Sequence, residues 1–222
     1  MRAGTIKRPA KKLIDGFRGL ATSTIANALD DVGVRGIITG LKPIAPGLRC
    51  VGPAVTVREM TGARGSFPAS DFRVGHMIDA AQAGDVIVVD NGGNPVSTWG
   101  GLASYAARLK GLAGLVVDGG VRDADEIAEL GFPVFSRHLV PTPGRGRIRV
   151  EAINVEVTID GVLVRPGDIV VADVTGIAVV PAERAAEVLK LARRNARDDR
   201  QARAELERGL TFTEALGRFK NI

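Results

Sequence analysis

The sequence predicts a single α/β domain, and three observations carry the prediction. Two apolar runs, residues 86–90 and 115–118, each end in aspartate and flank a stretch of helical period. That is the pattern of buried parallel strands joined by a right-handed crossover helix. The chain has 222 residues, 45% hydrophobic and 25% charged, which suffices for one core and excludes disordered or collagen-like classes. Aromatic residues are only 4%, so that core is aliphatic.

Taken in order, residues 15–30 read as helical, with Thr22 or Ser23 as a possible cap. Residues 31–52 are rich in Gly and Pro and read as loops with short strands. Residues 54–59 alternate like a strand, 60–70 form a loop, and 71–81 form a helix before Gly84. After the 86–90 strand, residues 91–99 read as a loop. Leu102, Tyr105, Ala106 and Leu109 then recur at i, i+3, i+4 and i+7, an amphipathic helix over 101–110 stopped by Gly111. The 115–118 strand leads through a loop, 119–122, into a helix over about 124–130 that Gly131 and Pro133 end. Both strand-to-helix loops leave from carboxyl ends, so they lie on one sheet edge and can meet.

Residues 153–159 alternate as a strand, Asp160-Gly161 is a tight turn, and 162–164 return. Residues 169–173 and 177–180 are further strands, and a helix runs from Pro181 to about Arg208. Its far half, 193–207, is charged nearly all round, as a solvated helix is, or one reaching toward another subunit. The whole chain, 1–222, is predicted as one domain with a flexible basic tail, 1–12, and a C-terminal helical segment, 182–222.

The net charge is +5, but Arg2, Lys7, Arg8, Lys11 and Lys12 supply all of it. With no basic recognition helix and no aromatic RNA-binding string, nucleic acid is not an expected partner. No apolar run of signal-peptide or membrane-span length exists, so a cytoplasmic protein without a membrane partner is expected. The single cysteine, Cys50, excludes an internal disulfide framework and reads as a buried inert thiol. Phosphate-loop, dinucleotide-binding and nucleophile-elbow motifs are absent. No lysine lies in an apolar strand, which disfavours imine chemistry.

Two features carry chemistry. The stretch from Ser97 to Ala103 opens a helix, whose free N–H groups make an anion seat, with Gly100 and Gly101 allowing a ligand to touch backbone. A plain capped helix start fits the same residues. The second feature is Arg122-Asp123-Ala124-Asp125-Glu126. Asp123 and Glu126 have the spacing of a capping box, which needs no function. Arg122 is a cation at the positive end of a helix, where the dipole disfavours it. An anion held between Arg122 and the N–H groups of Gly100, Gly101, Leu102 and Ala103 removes that conflict. A carboxylate suits an arginine fork, and Asp123 can then hold a hard divalent ion.

Gly101, twenty residues, Arg122-Asp123, two residues and Glu126 match the G-x20-R-D-x2-E/D signature of the RraA-like family, which this chain resembles. The likeness extends to His76, the stretch 83–90, the stretch 117–123, Arg165-Pro166-Gly167-Asp168 and the stretch 173–181. The resemblance implies a three-layer β/β/α fold of the swivelling, phosphohistidine-domain type. It implies homotrimers or homohexamers with sites between subunits. It implies a class II, metal-dependent aldolase acting on 4-hydroxy-4-methyl-2-oxoglutarate or 4-carboxy-4-hydroxy-2-oxoadipate, a carbon–carbon lyase releasing pyruvate, with oxaloacetate decarboxylase side activity. Gly100, Gly101, Leu102, Ala103 and Arg122 would bind the 2-oxo-carboxylate, Asp123 would bind Mg²⁺ or Mn²⁺, and Glu126 would orient water on that ion. A neighbouring subunit's acid, with Asp198 and Asp199 as candidates, would assist. The alternative within the family is a protein-binding regulator of ribonuclease E, and the acidic Glu126 favours the enzyme.

His76, Trp99, Asp90 and Asp118 carry lesser expectations. His76 could line the site or be structural. Trp99 could wall the pocket or anchor packing, and the two aspartates could simply hold loops.

Overall fold

In the computed structural model, which describes residues 1–219, a strand β1 (Arg2–Ala3) precedes two short helices, α1 (Lys11–Asp15) and α2 (Thr22–Asp31). One helix over 15–30 is predicted. Instead a turn that includes Gly19, at φ 80°, separates two. The Gly/Pro-rich stretch holds short strands β2 (Ile37–Ile38) and β3 (Lys42–Pro43), and β4 (Cys50–Thr61) follows. The central run is α3 (Val74–Ala80), β5 (Val86–Trp99), α4 (Gly101–Leu109), β6 (Gly114–Val121), α5 (Ala124–Leu130) and β7 (Val134–Leu139). Then come β8 (Ile148–Ile153), β9 (Val157–Ile159), β10 (Val162–Val164), β11 (Ile169–Ala172), β12 (Ile177–Val180), α6 (Ala185–Glu207) and α7 (Phe212–Arg218). Lys220 and the end of the predicted C-terminal segment lie outside the described residues.

The strands pair in the order β2-β12-β11-β4-β5-β6-β7-β3, and β8 joins β4 at its far end with β1 beyond it. From β4 to β7 the pairing is parallel, as the crossover pattern predicts. β4 is long because it serves three partners in turn: β11 along its first residues, β5 in the middle and β8 at the end. The β9–β10 hairpin stands apart, turning through Asp160 and Gly161 at positive φ as predicted.

Alternation along each strand builds the layers. Val55, Val57, Ile87, Val89, Leu115 and Val117 face α3, α4 and α5. Ala54, Val86, Val88, Val116 and Phe135 face the other way, onto the hairpin and the inner side of β11 and β12. This is the β/β/α layering the family resemblance implies. The outer side of β11 and β12, through Ile169, Val171, Ala178 and Val180, is covered by Ile25, Leu29, Val188 and Ala192 of α2 and α6.

Three expectations are corrected. Residues 1–12 are not a loose tail. β1 pairs with β8, and the Arg8 guanidinium grips buried Asp85 through two nitrogens at 2.7 and 2.9 Å. Residues 91–99 are not a free loop but the continuation of β5, with the register shifting at each of three irregularities while Gly92 and Gly93 supply positive φ. Predicted alternation over 153–159 breaks at Asn154, whose φ of 56° turns the chain between β8 and β9. Cys50 is buried as expected, and burial pushes its thiol up to about 12.

Candidate active site

Parallel pairing of β5 with β6 brings the start of α4 and the start of α5 to the same sheet edge. The Arg122 amide donates to the Trp99 carbonyl at 3.0 Å, which ties the two strand ends together. The Gly101 amide donates to Asp123 Oδ2 at 3.1 Å, and Arg122 Nε lies 3.5 Å from the same oxygen. The sequence-predicted meeting of the two loops is therefore present.

The two glycines are required by contact rather than by φ. Gly100 is extended, at φ −155°, a conformation open to any residue. A Cβ there would stand 2.5 Å from Asp123 Oδ2, and one on Gly101 would stand 2.0 Å from Glu126 Oε2. Both carboxylates thus pack directly on the glycine backbone that opens α4.

Asp123 holds the left-handed conformation, φ 58° and ψ 40°, which Asp tolerates better than most residues. It stands at the N-cap of α5 but makes no side-chain cap bond to that helix. The capping box allowed by the sequence is not formed, because the Asp123 carboxylate reaches across to α4 instead. Strain of this kind costs about 1–3 kcal/mol and is a recurrent feature of functional sites.

Beside this cluster lies a cavity of about 580 Å³. Thr98, Trp99, Gly100, Leu102, Ala103, Arg122 and Asp123 line it from the two junctions, Phe72, Val74 and Ile78 give it an apolar side, and Arg145 comes from the loop before β8. Helix geometry leaves the first-turn N–H groups of α4 without intrahelical partners, and the helix dipole adds positive potential there. With Arg122 half-exposed at the same place, the arrangement suits a small carboxylate. No three His, Cys, Asp or Glu side chains converge as a ready-made metal cage among the described residues. The Asp123 carboxylate, open to solvent and flanked by Glu126, fits a hard cation that keeps most of its positions for water and substrate.

Trp99 is both wall and anchor, buried with its indole N–H donating to Ser104 Oγ at 2.8 Å. His76 is exposed and does not line the cavity. Asp90 accepts from the Gly92 amide, and Asp118 accepts from Arg137 and the Asp160 amide, so both hold loops. Asp198 and Asp199 sit on α6, which packs against α2 in the opposite layer, and no α6 residue lines the cavity.

Two residues beside the site, Arg145 and Glu59, carry no signature in the sequence. Arg145 stands in a Pro/Gly/Arg stretch with no local pattern. Glu59 continues the inward alternation of Val55 and Val57, and a buried acid there was the only available signal. The α4 stripe also differs from an ordinary amphipathic face. Leu102, Tyr105 and Leu109 are 82%, 51% and 73% exposed, while Gly101, Ser104 and Ala107 face inward. Only small residues fit beneath Trp99 and Glu126, so the larger ones turn outward beside the cavity.

The family model RraA-like, described as Aldolase/RraA, matches residues 22–179. A protein of Halalkalibacterium halodurans provisionally named 4-hydroxy-4-methyl-2-oxoglutarate aldolase is 33% identical over 187 residues, 84% of each chain. Protein DlpA of Legionella pneumophila is 32% identical over 169 residues, 76% of this chain, and the match spans 27% of DlpA. Among solved structures, an uncharacterized protein of Pseudomonas syringae pv. tomato superposes with TM-score 0.84 at 32% identity, covering 94% of this chain and 98% of the other. Streptomyces coelicolor RraAS2, described as an unusual member of the RNase ES inhibitor RraA family, superposes with TM-score 0.76 at 29% identity, covering 93% and 100%. The chain belongs to the RraA-like family.

Proposed function

We propose that this protein is a divalent-metal-dependent lyase that cleaves a 4-hydroxy-2-oxo acid, 4-hydroxy-4-methyl-2-oxoglutarate or 4-carboxy-4-hydroxy-2-oxoadipate, to release pyruvate. The convergence of Arg122, the α4 N-terminus and Asp123 on one cavity carries the reading. The substrate's 2-oxo-carboxylate sits against the N–H groups of Leu102 and Ala103, with Gly100 and Gly101 permitting the approach and Arg122 gripping from the side. Arg145, across the cavity, is a cation available to the distal carboxylate.

Asp123 holds Mg²⁺ or Mn²⁺, with Glu126 beside it. When bound, such an ion supplies Lewis-acid polarisation of the 2-oxo oxygen. In the retro-aldol step the proton leaves the 4-hydroxyl, the C3–C4 bond breaks, and its electron pair becomes the pyruvate enolate. Arg122 and the fixed N–H groups meet that negative charge without reorganising. Glu126 orients water that accepts the hydroxyl proton, and return of a proton from water to C3 of the enolate completes pyruvate. Oxaloacetate loses carbon dioxide to the same enolate without needing that base, so it is a side substrate.

The exposed stripe of Leu102, Tyr105 and Leu109 adjoins the cavity and supports assembly into trimers or hexamers through this face. Asp198 and Asp199 of a neighbour's α6 are the candidates for the assisting acid that the family resemblance implies. A regulator of ribonuclease E is the second reading, favoured by the likeness to RraAS2. Asp123 at the cavity, with Glu126 packed on the adjoining Gly101 rather than on the cavity lining, favours the lyase. Pyruvate release from a panel of 2-oxo acids, with and without Mg²⁺, tests the proposal, and a panel with no activity alongside ribonuclease E binding would reverse it.

One variant probes the seat together with the Glu126 carboxylate packed on it. In Gly101→Ala the new methyl displaces the flexible end of Glu126 rather than backbone. Pyruvate release is expected to fall by about tenfold or more, while Tm drops by no more than about 2–4 °C. Kinetics with a thermal melt check both.

A further inference from the structure

Behind the cavity wall lies a carboxyl that these roles leave unused. Glu59 on β4 is buried, and its two oxygens accept hydrogen bonds from the Thr98 hydroxyl and the Asn91 amide, each at 2.5 Å. Asn91 is fixed in turn by the Thr61 hydroxyl at 2.8 Å. Thr98 lines the cavity two residues before the glycines of the anion seat.

Burial pushes the Glu59 carboxyl up to about 7, the bonds from Thr98 and Asn91 oppose the push, and Asp90 on β5 adds to it. Other charges on the packed strands point away. Arg58 on β4 bonds the Glu156 carbonyl, and on β8 Arg149 pairs with Glu151. Among the described residues no lysine or arginine neutralises Glu59.

Thr98 has one hydroxyl hydrogen to give. Against an ionised Glu59 it must point at the carboxylate. Against a protonated Glu59 the carboxyl donates instead, and the hydrogen of Thr98, buried in the cavity wall, is free for another acceptor. We propose that Glu59 is a positioning residue whose protonation state sets whether Thr98 donates a hydrogen bond to the anion bound in the cavity. The inference rests on reading this cavity as a 2-oxo-acid site, and it makes anion binding tighter in mildly acidic solution.

Trp99, the only tryptophan, adjoins Thr98 and provides the signal. Oxalate, a dianionic mimic of the pyruvate enolate, is titrated with excess Mg²⁺ from about pH 6 to about pH 8.5, across the range where Glu59 ionises. Wild-type Kd is expected to weaken about tenfold over that range, the size of one charge-assisted hydrogen bond. In Glu59→Gln and in Thr98→Val the change should stay below about twofold, since neither retains the switch. Thermal melts add a second readout. A carboxyl raised on folding costs stability as pH climbs from the usual carboxylate range through about 7, and Glu59→Gln should lose that decline. A wild-type slope preserved in both variants, or a wild-type Kd independent of pH, would overturn the role of Glu59 while leaving the cavity assignment standing. Oxalate failing to bind wild type at any pH would overturn the cavity assignment and this inference together.

Discussion

Asp123→Asn is expected to cut pyruvate release by two to three orders of magnitude, about 3–4 kcal/mol of transition-state stabilisation, and to leave the fold intact. Asparagine is the informative replacement because it tolerates the left-handed backbone at φ 58° that alanine resists. It also keeps an oxygen for the Gly101 amide, which now donates to Asp123 Oδ2 at 3.1 Å. What it removes is the charge that holds the cation. Added Mg²⁺ should therefore saturate wild type at far lower concentration than the variant, and a metal titration of initial rates reads this directly. Wild-type rates and metal response in Asp123→Asn would remove Asp123 from the proposed role.

Arg122→Lys is expected to lose about 2–4 kcal/mol in kcat/KM, the range for losing one fixed oxyanion donor. Charge is conserved, so a purely electrostatic role predicts little change. A guanidinium fork that grips a carboxylate through two nitrogens predicts a large one, because an ammonium is a point charge without that geometry. Arg122 is half-exposed, so the substitution should barely move Tm. Steady-state kinetics on oxaloacetate separate the two outcomes.

Much of this site is legible in the sequence because it is local. Gly100, Gly101, Arg122, Asp123 and Glu126 sit at the ends of two parallel strands, and the crossover rule alone puts those ends together. The apolar runs 86–90 and 115–118 mark buried parallel strands on their own, whereas the β/β/α layering follows from the family resemblance. Long-range partners are not legible in the sequence. Arg8 finds Asp85 across 77 positions, which turns an apparent tail into a packed strap. Glu59 becomes interesting only when Thr98, 39 positions away, is seen to bond it. The α4 stripe misleads for a different reason. Period reports which side of a helix is apolar, while the space under Trp99 and Glu126 decides which side faces in. The bulged second half of β5 escaped because Gly92 and Gly93 read as loop, although here they bend a strand that continues to Trp99.

The central claim is that this cavity releases pyruvate with the help of a divalent cation. Pyruvate production from 4-hydroxy-4-methyl-2-oxoglutarate and from oxaloacetate, followed with Mg²⁺ and then with excess chelator, tests it most directly. Steady turnover with Mg²⁺, loss on chelation and recovery when the metal is restored are expected. Undiminished turnover in excess chelator would contradict it.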